Sequence, residues 1–134
     1  MLKQYLNRHF TSTNFSNMSR FFSQLTPNEP LSHFLKNNQP IIIDVREPDE
    51  YISGHIPNAI LMPHQQAKEN IEEDYPNRET PLALYCKSGA RSRYVMLELI
   101  SDGYTKVADL GSIEKAQKAL TEAGHIKSDE KEHL

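Results

Sequence analysis

Pro81-Leu82-Ala83-Leu84-Tyr85-Cys86-Lys87-Ser88-Gly89-Ala90-Arg91-Ser92 is the stretch on which the fold turns. Residues 81–85 are a short apolar run, the length of a buried strand. The chain then passes into a polar, cationic loop containing a glycine. From residue 91 to residue 101, Tyr94, Val95, Leu97, Leu99 and Ile100 form an apolar helical set, and Gly103 ends it. A strand that delivers a polar loop to the start of a helix is the repeating unit of an α/β sheet.

The flanks carry the same alternation. Upstream, Leu31, Phe34 and Leu35 give a short helical face, and residues 37–40 (Asn-Asn-Gln-Pro) are a turn. Ile41-Ile42-Ile43-Asp44-Val45 is a β-branched run bounded by breakers, which reads as a strand buried on both faces, as in a parallel sheet. Glu47-Pro48-Asp49-Glu50 opens a short helix, with proline in the first turn and acids at the positive end of the dipole, and Gly54 closes it. Residues 59–62 are a second short strand stopped by Pro63, and residues 64–74 a polar helix. Downstream, Val107-Ala108 is the core of a last strand, Ser112 caps a helix over 113–123, and Gly124 stops it. No repeat or linker splits this region.

The chain has 134 residues, 37% apolar and 25% charged, which is one globular domain. The longest aliphatic run, Ile41-Ile42-Ile43, falls far short of the ~20 residues of a membrane span. Cys86 is the only cysteine, so no internal disulfide and no Cys-based zinc spacing exists. One thiol is consistent with a reducing compartment. The six histidines show no ligand spacing, so no metal is expected.

Net charge is −3, divided as +3 over residues 1–28 and −6 over the remainder. Lys87, Arg91 and Arg93 make a local anion site but are too few for a nucleic-acid partner. Leu2, Tyr5, Leu6, His9 and Phe10, then Phe15, Met18, Phe22 and Leu25, keep a helical apolar stripe. Residues 1–25 are therefore read as an amphipathic helical extension, a docking helix or the arm of a homodimer. The first 28 residues contain no acid, and this also meets the loose description of an organellar transit peptide. The expected compartment is the cytoplasm, with an organellar matrix as the alternative if that leader reading holds. Residues 125–134 form a polar tail.

The loop from Cys86 to Ser92 lies at the carboxyl end of a strand, where open α/β sheets bind ligands. Its backbone N–H groups can curl around an anion, and Gly89 permits the positive φ such a curl needs. A free thiol has pKa ≈ 8.5, and helix N-termini and neighbouring cations lower it. Cys86 has both, with Lys87 and Arg91 nearby. The product is a nucleophile in an anion cradle. A lone cysteine ending an apolar strand is also, by itself, a common inert core residue. The polar cationic loop that follows is a poor core and tips the reading to reactivity.

Asp44-Val45-Arg46-Glu47, Glu50-Tyr51, Gly54-His55-Ile56-Pro57-Asn58-Ala59-Ile60, the Cys86–Ser92 loop, and Gly103-Tyr104 with Val107 occur in an order that resembles a single-domain rhodanese, a thiosulfate sulfurtransferase. The resemblance runs from about residue 26 to about residue 119, with the domain expected over 26–124. It implies an α/β fold with a five-stranded parallel sheet flanked by helices on both faces. It implies that Cys86 takes the sulfane sulfur of thiosulfate or a similar small anionic donor as a persulfide and passes it to an acceptor, cyanide in the usual assay, with no cofactor. By position, Lys87, Ser88, Gly89, Ala90, Arg91 and Ser92 bind the substrate, Lys87 attracting the dianion and Arg91 holding the loop's curvature. Asp44 and Arg46 are supporting residues, read as a structural ion pair or as a brace for the loop. His55 is read as satisfying backbone groups in its turn rather than as a base. The family's paired glycines and following Trp are here Leu110-Gly111-Ser112-Ile113 with a single glycine, and the chain has no Trp.

Two rival readings follow. A sulfur-relay or regulatory module would pass its sulfur to a protein acceptor, since no second cysteine can resolve a persulfide internally. A phosphatase of related fold would need five residues between Cys and Arg. Here four lie between Cys86 and Arg91, and Tyr85 rather than His precedes the cysteine.

Overall fold

The computed structural model describes residues 30–127. The amphipathic extension and most of the polar tail lie outside these residues. Nine elements follow in chain order: α1 (Leu31–Asn37), β1 (Ile41–Asp44), α2 (Pro48–Ser53), β2 (Ile60–Leu61), α3 (Ala67–Asp74), β3 (Leu82–Cys86), α4 (Ala90–Ser101), β4 (Val107–Ser112) and α5 (Ile113–Glu122). The strands form one parallel sheet in the order β2-β1-β3-β4.

The two faces of that sheet explain the sequence pattern. On one face Ile43, Val45, Leu82, Leu84 and Cys86 pack with Ala67 and Ile71 of α3 and with Val95, Met96 and Leu99 of α4. On the other, Ala83, Tyr85, Ala108 and Leu110 pack with Phe34 and Leu35 of α1 and with Ile113, Ala116 and Leu120 of α5. All five residues of β3 are buried, because the strand is covered on both sides. Each large aliphatic side chain so buried contributes roughly 1.5–3 kcal/mol.

The sheet has four strands among the described residues, not the five implied by the resemblance. Only four runs between residues 41 and 112 have strand character, and all four are used. β4 therefore forms one margin of the described sheet.

Three boundaries shift for physical reasons. β2 spans two residues rather than four and ends ahead of Pro63, which sits on the edge of the sheet where no ladder N–H is required. The N–H groups of Met62 and His64 still reach the Asp44 and Val45 carbonyls at 2.9 and 3.0 Å. Helix α3 starts at Ala67 because a turn, closed by the Gln66 N–H on the Pro63 carbonyl at 2.9 Å, comes first. β4 is longer than its Val107-Ala108 core, running through the glycine to Ser112. It does so by a bulge: Leu84 faces Asp109 and Tyr85 faces Gly111, leaving Leu110 as the extra residue.

The caps follow the side-chain chemistry. Glu47 and Glu50 form a reciprocal capping box on α2, and Ser112 Oγ accepts the Lys115 N–H at 3.2 Å on α5. No helix among the described residues is long and apolar enough to cross a membrane.

Candidate active site

β3 delivers two consecutive polar side chains, Tyr85 and Cys86, to its carboxyl end on opposite faces of the sheet. On the α1/α5 face lies a closed network. Asp44 and Arg46 are buried there and form an ion pair at 2.7 Å. Asp44 Oδ1 also accepts the Arg46 backbone N–H at 2.9 Å, and its Oδ2 accepts the Tyr85 hydroxyl at 2.8 Å. Arg46 Nη2 donates to the Gly54 carbonyl at 2.6 Å, and the Ile56 N–H donates to the Tyr85 oxygen at 3.0 Å. Burial holds the Tyr85 phenol well above its ordinary pKa, so it stays a neutral donor to Asp44. These bonds reach Tyr85 and the Gly54–Ile56 turn; those described do not run to residues 87–92.

On the other face the backbone curls around sulfur. Gly89 adopts φ +100° at the cap of α4, and its N–H donates to Cys86 Sγ at 3.0 Å. The Ser92 N–H donates to the same sulfur at 3.4 Å, and the thiol donates to Ser92 Oγ at 3.5 Å. A Cβ on Gly89 would lie 3.5 Å from Gly111 Cα, so the loop rests directly on the end of β4. Burial pushes the Cys86 thiol up, but the hydrogen bonds its sulfur receives from the N–H groups of Ser92, Gly89 and Ser88 hold it down. The thiol lies below its ordinary range.

Cys86 is 0% exposed. Complete burial alone would describe an inert core thiol. An inert core thiol does not have backbone donors converging on its sulfur at the start of a helix, and Cys86 does.

The other loop residues divide by role. Lys87, Ser88 and Ala90 are exposed above the sulfur, and Gly89 and Arg91 are half-buried. Arg91 forms a two-pronged pair with Glu50 of α2, Nη1 to Oε1 at 2.7 Å and Nη2 to Oε2 at 3.0 Å. That hydrogen-bonded guanidinium holds the Glu50 carboxyl down at about 2. The pair ties the first turn of α4 to α2. Ser92 is buried, and its hydroxyl donates to Asp109 Oδ1 at 2.7 Å. His55 stacks on the Tyr51 ring with centroids 3.7 Å apart, and its Nδ1 lies 2.9 Å from the Tyr51 carbonyl.

Three residues of this arrangement are not among the site residues that the sequence points to. Glu50 was legible only as part of a motif. Tyr85 reads in the sequence as the last apolar residue of a strand. Asp109 left one signal, a carboxylate inside a strand flanked by buried apolar residues.

A parallel α/β sheet with a cysteine loop at its carboxyl edge, opening a helix, defines a class of anion-loop proteins. The comparison with known families narrows it. The model of the rhodanese-like domain matches residues 27–119, and the chain belongs to that family. It is 34% identical over 71 residues to the thiosulfate sulfurtransferase PspE of Escherichia coli, covering 53% of this chain and 68% of that protein. It is 32% identical over 76 residues to the thiosulfate sulfurtransferase GlpE of Coxiella burnetii, covering 57% of this chain and 69% of that one. A solved structure of a rhodanese with anions from E. coli superposes with a TM-score of 0.52 at 31% identity, over 57% of this chain and 91% of that one.

Proposed function

We propose that the protein is a sulfurtransferase that carries sulfane sulfur on Cys86. The observation that carries this reading is the convergence of the Gly89 and Ser92 N–H groups on a thiol held below its ordinary range. The Cys86 thiolate attacks the outer sulfur of thiosulfate. An S–S bond forms on Cys86, the thiosulfate S–S bond breaks, and sulfite leaves with the electron pair. An acceptor such as cyanide then attacks the outer sulfur, leaves as thiocyanate, and returns the thiolate. Backbone donors offset the negative charge at each stage. Exposed Lys87 draws the dianion toward the loop, and Arg91, already bound to Glu50, keeps the loop's shape. Because Cys86 is covered at rest, the donor reaches it only when the atoms over the sulfur move aside.

Turnover of thiosulfate with cyanide, measured on the wild type and on Cys86→Ala, tests this reading. The substitution lowers the rate about a thousandfold or more. Equal turnover in both proteins contradicts it.

The single cysteine favours a second reading within the same chemistry, delivery of the sulfur to a protein acceptor. Slow cyanide turnover beside fast transfer to a protein thiol selects it. Phosphatase chemistry would need a guanidinium turned to the substrate, and that of Arg91 is committed to Glu50. A reducing compartment such as the cytoplasm, and pairing of two copies through residues 1–25, belong to this proposal on sequence grounds alone.

A further inference from the structure

The Ser92 hydroxyl has one proton and three neighbours. Asp109 Oδ1 lies at 2.7 Å, the Gly89 carbonyl oxygen at 3.2 Å and Cys86 Sγ at 3.5 Å. A carboxylate at the shortest distance holds the proton against a carbonyl and a distant sulfur. Asp109 is itself fixed, since its Oδ1 also accepts the Gly111 N–H at 2.9 Å in the β4 bulge. With the proton committed to Asp109, Ser92 presents a lone pair to the sulfur. A thiol can donate to that lone pair, as Cys86 does. A thiolate cannot.

We propose that Asp109 is a positioning residue for Cys86, acting through Ser92 by withholding the hydroxyl proton that the bare thiolate would otherwise receive. The inference rests on the persulfide reading above and deepens it. In the persulfide the negative charge moves to the outer sulfur, and Sγ becomes a neutral divalent atom. The Ser92 lone pair then opposes nothing. Asp109 thus disfavours the unloaded thiolate relative to the loaded enzyme and biases the site toward holding sulfur. The backbone donors of Gly89 and Ser92 act in the opposite sense and keep the thiolate accessible.

The other groups around the sulfur leave this role to Asp109. The Arg91–Glu50 pair lies on α4 and α2, with each charge answered by the other. Lys87 is exposed. Asp44 and Arg46 are engaged with Tyr85, whose side chain packs on the opposite face of β3. Ile43, Val45 and Met62, which pack in the same cluster as Cys86, are apolar.

The test is the pH dependence of Cys86 alkylation by iodoacetamide in wild type, Asp109→Asn, Ser92→Ala and the double variant. It requires no sulfur transfer. Asparagine keeps Oδ1 as an acceptor for the Gly111 N–H, but a neutral amide oxygen holds the hydroxyl proton less strongly than an anionic sulfur attracts it. Asp109→Asn therefore moves the alkylation midpoint to lower pH by roughly one unit. Ser92→Ala moves it down or leaves it in place. Adding Asp109→Asn to Ser92→Ala gives less than half of the single-variant shift. An unchanged or raised midpoint in Asp109→Asn overturns the proposal. So does a raised midpoint in Ser92→Ala, which would mean that the hydroxyl serves the sulfur, or a full shift in the double variant, which would mean that Asp109 acts by charge alone. Should Asp109→Asn fail to fold, Ser92→Ala decides by the sign of its shift. Loading is then read by mass at a fixed thiosulfate-to-sulfite ratio, and Asp109→Asn carries a smaller loaded fraction than the wild type. An equal or larger fraction overturns the bias toward loading. Absence of any loaded wild type defeats the persulfide reading while leaving the alkylation result standing.

Discussion

Tyr85 and Cys86 are consecutive, both buried, and opposite in what their surroundings do to them. Around Tyr85 every polar group has a settled partner. Asp44 takes the Arg46 guanidinium, the Arg46 backbone N–H and the Tyr85 hydroxyl, and Tyr85 in turn takes the Ile56 N–H. Around Cys86 the donors are backbone N–H groups at 3.0 and 3.4 Å, and the neighbouring Ser92 hydroxyl turns its proton to Asp109. The first cluster stabilises one arrangement. The second leaves the sulfur with charge-stabilising neighbours that survive a change in its covalent state. Strand alternation separates the two roles by a single residue.

The largest expected effect breaks the settled side. Asp44→Ala leaves Arg46 buried with its charge unanswered, which costs about 3–5 kcal/mol. Urea denaturation at neutral pH reads this loss. Tyr85→Phe removes one neutral donor from Asp44 and the acceptor of the Ile56 N–H, and costs about 1–3 kcal/mol. If Asp44→Ala costs no more than Tyr85→Phe, the ion pair is not what holds this end of the sheet.

Glu50 links the two sides, because it caps α2 and holds Arg91 of α4. Its carboxyl lies at about 2 in the folded chain, below its unfolded value. Its stabilising contribution is therefore complete above the unfolded pKa, about 4.3, and disappears as pH falls toward the folded one. Between pH 5 and pH 3 the wild type loses stability that Glu50→Gln does not lose. Parallel pH profiles of the two proteins in chemical denaturation would sever this link.

The smallest effect sharpens the contrast with a third carboxylate. Glu98 of α4 is 1% exposed, and its Oε2 has no hydrogen-bond partner among the described residues. Burial, with the like charge of Glu69, pushes its carboxyl up. A raised folded pKa means that the native state holds the proton longer, so stability falls as pH rises above the unfolded value. Glu98→Gln removes that slope and gains about 1 kcal/mol near neutrality. A loss of stability at neutral pH would show that the ionised carboxylate has a partner.

Much of this is legible in the sequence. Short apolar runs between breakers located all four strands, most plainly β3, which is covered on both faces and apolar throughout. Gly89 and the strand–loop–helix pattern located the anion loop. The fifth strand implied by resemblance had no such run within residues 41–112, and none is found there. What stayed hidden depends on contacts distant in sequence. Glu50 meets Arg91 across 41 residues, and Ser92 meets Asp109 across 17. The bulge at Leu110 left no periodic mark, since a single extra residue in a six-residue strand looks like ordinary alternation.

The central claim is that Cys86 carries sulfur covalently, and intact-mass spectrometry after thiosulfate treatment measures it directly. The account predicts a gain of one sulfur atom, about 32 Da, in the wild type and none in Cys86→Ala. An unchanged wild-type mass with thiosulfate and with other sulfane donors, or an equal gain in Cys86→Ala, would contradict it.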